Sequence, residues 1–282
     1  MSTFPTPLIT AEQLSQCLND EKLVILDASY FMPAMQRDGL SEWQQQRIGD
    51  AQYFDFDNEI CEPIAEYPHM MPTPELFTEA AQGLGVNQDS EVVVYDSLGM
   101  FSAPRAWWML RAMGHENVAI LNGGLPAWQS AELPLNIDAP SSLEAGNFKA
   151  NYHPEMISDA DMVLTALQDK SVAVLDARGT SRFSGTEPEP REGLRSGHMP
   201  GAKNLPFASL LDNGFLKPSE ELKPLFDGLV DSDQRLIFSC GSGVTACHLA
   251  LAAHVCGYTN LSVYDGSWSE WGARDELPVI TA

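Results

Sequence analysis

Cys240 lies where a predicted strand meets a glycine-rich loop and a predicted helix. The strand is the apolar run 235–239, the loop is 240–245 with the sequence Cys-Gly-Ser-Gly-Val-Thr, and the helix is 246–256 with Gly257 as its cap. The loop glycines can adopt backbone angles closed to most residues, so successive amides can converge on an anion, and the start of the helix adds positive potential. The pattern predicts a site for a nucleophilic, anionic sulfur. An isolated cysteine is more often a buried structural residue, and the glycine-rich loop argues against that alternative.

A group of arginines is the second chemical feature. Of the 16 basic side chains, four fall between positions 178 and 195: Arg178, Arg182, Arg191 and Arg195. The chain has 39 acidic side chains and a formal net charge of −23, which opposes binding to nucleic acid or to an anionic membrane. A local group of cations in such a chain predicts an anion site. The alternative is that the arginines pair on the surface with Glu187, Glu189 and Glu192.

Length and composition set the class of protein. The 282 residues exceed one typical domain, and 44% hydrophobic residues are enough for a sizeable core. No segment is long and apolar enough to span a bilayer, and the N-terminal residues lack the features of a signal peptide, so we expect a cytoplasmic protein. The five cysteines lack C-x-x-C spacing, so neither disulfides nor a zinc site is indicated, and at least one thiol must be free.

An internal repeat predicts the architecture. The run 23–28 recurs as 172–177, the run 91–95 resembles 235–239, and an offset of 143 residues aligns Trp128 with Trp271. Alternating β-rich and helical stretches in each half predict an α/β fold with a mainly parallel sheet flanked by helices. We expect a first domain at 1–135, a linker at 136–150 and a second domain at 151–282.

The two halves differ at the cysteine. Under the offset of 143, Cys240 aligns with Ser97, so the first half lacks the thiol. In a parallel α/β sheet, ligands gather at the carboxyl ends of the strands, where Cys240 is predicted to lie. We therefore expect the second half to carry the site and the first half to supply its other wall.

These residues resemble the two-domain rhodanese family of sulfurtransferases over nearly the whole chain. The resemblance lies in four segments: the loop 240–245, 182–191 (Arg-Phe-Ser-Gly-Thr-Glu-Pro-Glu-Pro-Arg), 197–202 (Gly-His-Met-Pro-Gly-Ala) and 265–271 (Asp-Gly-Ser-Trp-Ser-Glu-Trp). The first-half counterpart of the 197–202 segment, at 47–51, is degraded. That departure falls in the half without the cysteine, so it leaves the assignment intact.

The resemblance implies two tandem rhodanese-like domains and a persulfide on Cys240. Sulfur would pass from 3-mercaptopyruvate to a thiol acceptor, such as thioredoxin or a small dithiol, or to cyanide, with release of pyruvate. No metal or organic cofactor is needed, because amides stabilise both thiolate and persulfide. The expected substrate-binding residues are Arg182, Arg191, Gly241, Gly243, Val244 and Thr245. We expect a monomer that takes a small anionic donor.

By the same resemblance, Ser242 would act with His69 and Asp57 of the first half. A histidine oriented by a carboxylate and reaching a hydroxyl is a reasonable proton relay. The spacing around Asp57 differs slightly from the family pattern, and His69 has the alternative of fastening the domain interface. His198, in the 197–202 segment, is expected to fix a turn.

Three other functions are weighed against this one. A thiosulfate:cyanide sulfurtransferase would usually carry basic residues directly after the cysteine, where this chain has Gly241 and Ser242. A cysteine-dependent phosphatase would need an arginine at position 246, which is Ala246. A non-catalytic rhodanese-like binding module fits the first half alone. Pyruvate release from mercaptopyruvate separates these functions.

Overall fold

The computed structural model describes residues 4–141 and 143–281, which form two compact units. The first unit comprises the residues up to Pro63, Met71–His153 and Asn213–Leu216. The second comprises Ile64–Met70, Pro154–Asp212 and the residues from Lys217 onward. Ser142 of the predicted linker lies outside the described residues, as do residues 1–3 and 282 of the predicted domains. The linker bounds at 136 and 150 stay a prediction.

The first unit contains a five-stranded sheet in the order β1-β5-β4-β2-β3. Its strands are β1 (Leu8–Ile9), β2 (Leu23–Asp27), β3 (Gln52–Tyr53), β4 (Glu91–Tyr95) and β5 (Val118–Leu121). Its helices are α1 (Ala11–Cys17), α2 (Gly39–Gln45), α3 (Pro74–Gly83), α4 (Ala103–Ala112) and α5 (Gly124–Ser130). All neighbouring strands run parallel, and β2, β4 and β5 are almost entirely buried, which explains their continuous apolar runs.

The second half of the chain contains a sheet with the same order, β6-β12-β11-β7-β8. Its strands are β6 (Ile157–Ser158), β7 (Val172–Asp176), β8 (Lys203–Asn204), β11 (Arg235–Ser239) and β12 (Leu261–Tyr264). A separate two-stranded sheet consists of β9 (Leu211–Asp212) and β10 (Phe215–Leu216). The helices are α6 (Ala160–Ala166), α7 (Thr180–Ser184), α8 (Ser219–Asp227), α9 (Ala246–Val255) and α10 (Ser267–Trp271). All pairs in the five-stranded sheet are parallel.

The prediction of two tandem α/β domains with parallel sheets is confirmed. Trp128 and Trp271, which the repeat aligned, are fully buried in the cores of their own units. Each indole N–H donates to a proline carbonyl, that of Pro134 at 3.0 Å and that of Pro278 at 2.9 Å. No helix within residues 4–141 and 143–281 is long and apolar enough to cross a membrane.

The first helix of each unit starts through side-chain capping. Thr10 precedes α1, where its hydroxyl accepts from the Gln13 amide and the Gln13 side chain accepts from the Thr10 amide. Asp159 precedes α6 and accepts from the Met162 amide at 2.8 Å. These caps satisfy amides that have no partner within the helix, so the local sequence determines where each helix begins.

Each unit has a buried aspartate at the end of an equivalent strand, and the two aspartates have different partners. β2 ends at Asp27 and β7 ends at Asp176, and each residue is 1% exposed. Asp176 pairs with the guanidinium of Arg178, two residues later, whereas Asp27 is followed at that spacing by Ser29, whose amide donates to it. Burial raises the pKa of Asp27 from 3.8 to about 6, although hydrogen bonds from Ser29 and Tyr95 oppose the rise.

Asp27→Asn therefore tests the pH dependence of stability. Because the folded-state pKa is raised, the folded protein binds more protons than the unfolded chain between pH 3.8 and about 6, and stability falls as pH rises through that window. Asparagine does not titrate, so the free energy of unfolding of the variant relative to wild type should increase by up to about 3 kcal/mol from pH 4 to pH 7. Urea unfolding at several pH values measures it, with the exposed Asp233→Asn as control. A difference independent of pH would contradict the assignment.

Candidate active site

Cys240 directly follows β11 and is 1% exposed. The loop continues through Gly243, whose φ of +77° is readily adopted only by glycine, and α9 starts at Ala246. At the other end of α9, Gly257 has a φ of +89° and its amide donates to the His254 carbonyl at 3.0 Å. The predicted arrangement of strand, loop and helix is therefore present around the cysteine.

Residues of helix α10 donate hydrogen bonds to the backbone carbonyl groups of the loop. The Trp268 amide donates to the Cys240 carbonyl at 3.0 Å, and the Ser269 amide and hydroxyl donate to the Gly241 carbonyl at 2.8 and 2.7 Å. In a trans peptide the N–H and C=O groups point in opposite directions. The amides of Gly241 and Ser242 are consequently directed away from α10, so they remain available to an anion.

Ser267, at the start of α10, supports the cysteine itself. Its hydroxyl accepts from the Cys240 amide at 3.1 Å and donates to the Tyr264 carbonyl at 2.8 Å. Its φ is +48°, a left-handed conformation that is unfavourable for a residue with a side chain. The aligned residue of the first unit is Gly124, with a φ of +54°. The second unit thus has a strained serine where glycine would fit without strain. The serine supplies a hydroxyl that accepts from the Cys240 amide.

Arg182 and Arg191 flank the loop on the side of Gly241. A methyl group built on Gly241 would lie 3.3 Å from Arg182 Nη2 and 3.8 Å from Arg191 Nη1. Arg191 Nη2 also donates to the hydroxyl of Ser242 over 3.4 Å, and Ser242 is 8% exposed. The structure therefore brings Arg182, Arg191, Gly241 and Ser242 together next to Cys240.

The other two arginines of the group have structural contacts. Arg178 is buried, pairs with Asp176 at 2.7 Å and Glu189 at 2.8 Å, and lies 3.9 Å from the centre of the Trp268 ring. Burial alone would lower the pKa of Arg178, but Asp176 and Glu189 outweigh it and raise the pKa above its usual value. Arg195 donates to four backbone carbonyls, those of Trp271, Gly272, Arg274 and Leu277. Arg195 thus fixes the end of α10.

The first unit contains a related loop that already holds an anion. The carboxylate of Asp96 accepts from the amides of Leu98, Phe101, Ser102 and Ala103 at 2.8–2.9 Å. The residue is 1% exposed and directly follows β4, as Cys240 follows β11. A loop between a parallel strand and a helix in this fold therefore offers enough convergent amides to satisfy a buried negative charge.

The alignment of Cys240 with Ser97 needs correction, because Asp96 has the matching backbone contacts. The Leu125 amide donates to the Asp96 carbonyl at 3.0 Å, and the aligned Trp268 amide donates to the Cys240 carbonyl at 3.0 Å. The first-unit loop between strand and helix has one residue more than the second-unit loop. The constant offset fitted the helices and misplaced the strand end by one position.

The remaining predicted residues have different surroundings. Val244 is buried and Thr245 precedes α9, so both form the end of the loop. His69 is 4% exposed with a φ of +62° and lies in Ile64–Met70, which belongs to the second unit. Asp57 belongs to the first unit, where its carbonyl accepts from the Cys61 thiol at 3.3 Å. The catalytic roles of His69 and Asp57 stay predictions.

His198 has the contacts of a structural residue. Its Nδ1 lies 2.8 Å from the Phe183 carbonyl, and its ring stacks on the Phe183 ring with centroids 3.9 Å apart.

Within residues 4–141 and 143–281, no group of three or more histidine, cysteine, aspartate or glutamate side chains is placed to hold a metal ion.

Sequence reasoning missed Ser267, Ser269, Asp96 and the buried position of Glu189. Ser267 and Ser269 lie in the segment 265–271, which served only as a marker of the resemblance. Small and polar residues directly after a predicted strand were the sequence signal that could have identified these two serines as site residues. Glu189 was considered a surface partner, and only its contacts show that it is enclosed by arginines.

Comparisons with known proteins agree with this geometry. A model of the rhodanese-like domain matches residues 10–131 and 159–274. The 3-mercaptopyruvate sulfurtransferase of Escherichia coli K12 is 42% identical over 99% of both chains, and the thiosulfate sulfurtransferase of Rattus norvegicus is 41% identical over 95% of this chain and 92% of its own. The crystal structure of SseA, the E. coli 3-mercaptopyruvate enzyme, superposes with a TM-score of 0.85 at 40% identity, covering 93% of this chain and 99% of that one. The chain therefore belongs to the rhodanese family, as predicted.

Asp96→Asn tests whether amides converge on the carboxylate in the first unit. The side-chain amide would turn one acceptor into a donor facing N–H groups and would remove the charge, so we expect a loss of about 2–3 kcal/mol in the free energy of unfolding. Thermal and urea unfolding measure the loss. The exposed Asp138→Asn, with the same change in charge, should stay within about 0.5 kcal/mol of wild type. Equal stability of the two variants would refute the arrangement.

Proposed function

We propose that this chain is a sulfurtransferase that takes sulfur from 3-mercaptopyruvate onto Cys240 and passes it to a thiol or to cyanide. The observation that carries the proposal is the position of Cys240, equivalent to Asp96, in a loop of the kind that satisfies a negative charge in the first unit. Arg182 and Arg191 beside Gly241 supply binding groups for a second charge, that of a carboxylate. One relative is named for 3-mercaptopyruvate and another for thiosulfate, and both names agree with sulfur transfer.

The first half-reaction moves one sulfur atom. The Cys240 thiolate attacks the thiol sulfur of 3-mercaptopyruvate, a sulfur–sulfur bond forms, and the carbon–sulfur bond breaks with its electron pair going to carbon. The leaving group is the enolate of pyruvate, which takes up a proton at carbon. The transferred sulfur remains on Cys240 as a persulfide, and the loop amides stabilise its charge.

The second half-reaction returns the enzyme to its first state. A thiolate acceptor attacks the outer sulfur of the persulfide, a new sulfur–sulfur bond forms on the acceptor, and Cys240 leaves as thiolate. Cyanide attacks the same atom and becomes thiocyanate. Because the donor product departs before the acceptor reacts, ping-pong kinetics are expected. Thioredoxin or a small dithiol as acceptor, the monomeric state and the cytoplasmic location stay predictions.

The roles of the neighbouring residues follow from their positions. Arg182 and Arg191 would bind the carboxylate and the keto oxygen through the planar donor groups of their guanidiniums. Ser242, 3.4 Å from Arg191, is a candidate to help protonate the enolate, with His69 and Asp57 as its proposed relay. Gly241 and Ser242 carry no charge, so the dianion thiosulfate would lack cations in the loop. That observation favours mercaptopyruvate over thiosulfate as donor.

Cys240→Ser is the direct test of the nucleophile. Wild type mixed with mercaptopyruvate and no acceptor should gain one sulfur atom on the peptide that contains Cys240, as measured by mass spectrometry, and Cys240→Ser should neither gain sulfur nor turn over. A hydroxyl is hardly ionised at neutral pH and forms no stable persulfide. Cys256→Ser, at a half-buried thiol of the same unit, is the matched control and should behave as wild type. Sulfur on another cysteine would end the proposal.

Arg191→Ala tests the anion-binding role. Loss of a charge-assisted contact to a substrate anion should weaken transition-state binding by about 2–4 kcal/mol, and kcat/KM for mercaptopyruvate should fall accordingly. Arg191→Lys should recover only part of the loss, because lysine offers a point charge without the planar donor pair. Steady-state kinetics with cyanide as acceptor measure both. Lys223→Ala, which removes an exposed cation paired with Asp227, is the control, and near-normal kinetics in Arg191→Ala would show that the carboxylate binds elsewhere.

A further inference from the structure

Glu189 is a buried carboxylate held between two arginines. Its side chain is 1% exposed. Oε1 accepts from Arg178 Nη1 at 2.8 Å and from Arg182 Nε at 3.3 Å, and Oε2 accepts from Arg182 Nη2 at 2.5 Å. A carboxylate in this position is not part of a solvated surface pair, so its contacts constrain both guanidiniums.

Arg178 has enough other partners to stay in place without Glu189. Its guanidinium also donates to both oxygens of Asp176 and to the Gly197 carbonyl, and it stacks on the Trp268 ring. Arg182 is different, because its side chain is 24% exposed and lies next to Gly241. Glu189 therefore pairs with Arg178, which several other groups also hold, and keeps the Arg182 guanidinium at the loop.

The charges in this cluster leave one unbalanced cation. The guanidiniums are those of Arg178, Arg182 and Arg191, and the carboxylates are those of Asp176 and Glu189. Three positive groups against two negative groups give this cluster a net charge of +1, apart from the Cys240 thiolate, whose charge the loop amides would stabilise. A monoanion balances that charge, whereas a dianion exceeds it.

We propose that Glu189 is the positioning and specificity-determining residue of the anion pocket. It fixes Arg182 beside Gly241 and limits the net charge of the cluster to one, so the pocket prefers a monoanionic 2-keto acid thiol to a dianionic sulfur donor. The inference rests on the proposed function. Selectivity is a difference between two affinities, and Glu189 acts on both by supporting one anion and repelling the second charge of the other.

Glu189→Gln separates this role from a purely structural one. The substitution nearly preserves shape, removes one negative charge and weakens the hold on Arg182. Binding of pyruvate, a monoanion, should weaken, while binding of sulfate, an unreactive dianion, should strengthen. The ratio of the two dissociation constants should change by at least about tenfold, and kcat/KM for thiosulfate relative to mercaptopyruvate should rise in the same direction. A loss of folded structure would lower both affinities together and would not change their ratio.

The experiment uses the full chain and titration calorimetry with pyruvate and sulfate at fixed ionic strength, followed by kinetics with both donors. Glu187→Gln is the matched control, because Glu187 lies two residues before Glu189, is exposed, and its substitution changes the net charge by the same amount. Its ratio should stay within about twofold of wild type. An unchanged ratio in folded Glu189→Gln overturns the proposal.

A second variant keeps the test decisive if Glu189→Gln does not fold. Glu189→Asp retains the charge but withdraws the carboxylate from Arg182, so pyruvate affinity should fall at an unchanged thermal unfolding midpoint, while the ratio to sulfate stays within about twofold. Unchanged pyruvate affinity would refute the positioning role. The proposed function fails separately: if wild type does not release pyruvate from mercaptopyruvate but the anion ratio still shifts in Glu189→Gln, the donor is misassigned and the role of Glu189 stands.

Discussion

Convergent backbone amides at the junction of a parallel strand and a helix are the interaction on which this protein depends. Buried N–H groups need acceptors, and several of them aimed at one point favour an anion. The first unit satisfies this requirement with the carboxylate of Asp96. The second places Cys240 at the equivalent position, where the proposed function requires a thiolate or persulfide. One constraint of the fold thus serves stability in one unit and the proposed chemistry in the other.

Under the proposed function, the arginine cluster is what lets a strongly acidic chain bind an anionic substrate. Asp176 and Glu189 hold Arg178 in the interior, and Glu189 in turn holds Arg182 at the loop. Charges removed from water are expensive unless they are paired and hydrogen-bonded, so the cluster forms only with its carboxylates in place. In the proposed function, the local balance of charge, rather than the net charge of −23, determines which anion the pocket accepts.

The two units share a fold and differ where chemistry requires it. Ser29 stands in the first unit where Arg178 stands in the second, and Gly124 where the second has the strained Ser267. At these two positions the first unit has a serine in place of an ion-paired arginine and a glycine in place of a strained serine, and the buried Asp27 has a raised pKa. The second unit accepts strain and buried charge because both position Cys240 and its neighbouring guanidiniums.

The sequence alone determined the duplication, the α/β fold, the loop around Cys240 and the group of arginines, since repeats, apolar runs and glycine-rich turns are local patterns. The tertiary structure decided which arginines flank Gly241 and which are structural, because that depends on contacts between residues far apart in the chain. It also decided that Glu189 is buried. The match of 91–95 to 235–239 already departs from the offset of 143 by one residue, and the backbone hydrogen bonds of Asp96 and Cys240 confirm that the first-unit loop is one residue longer.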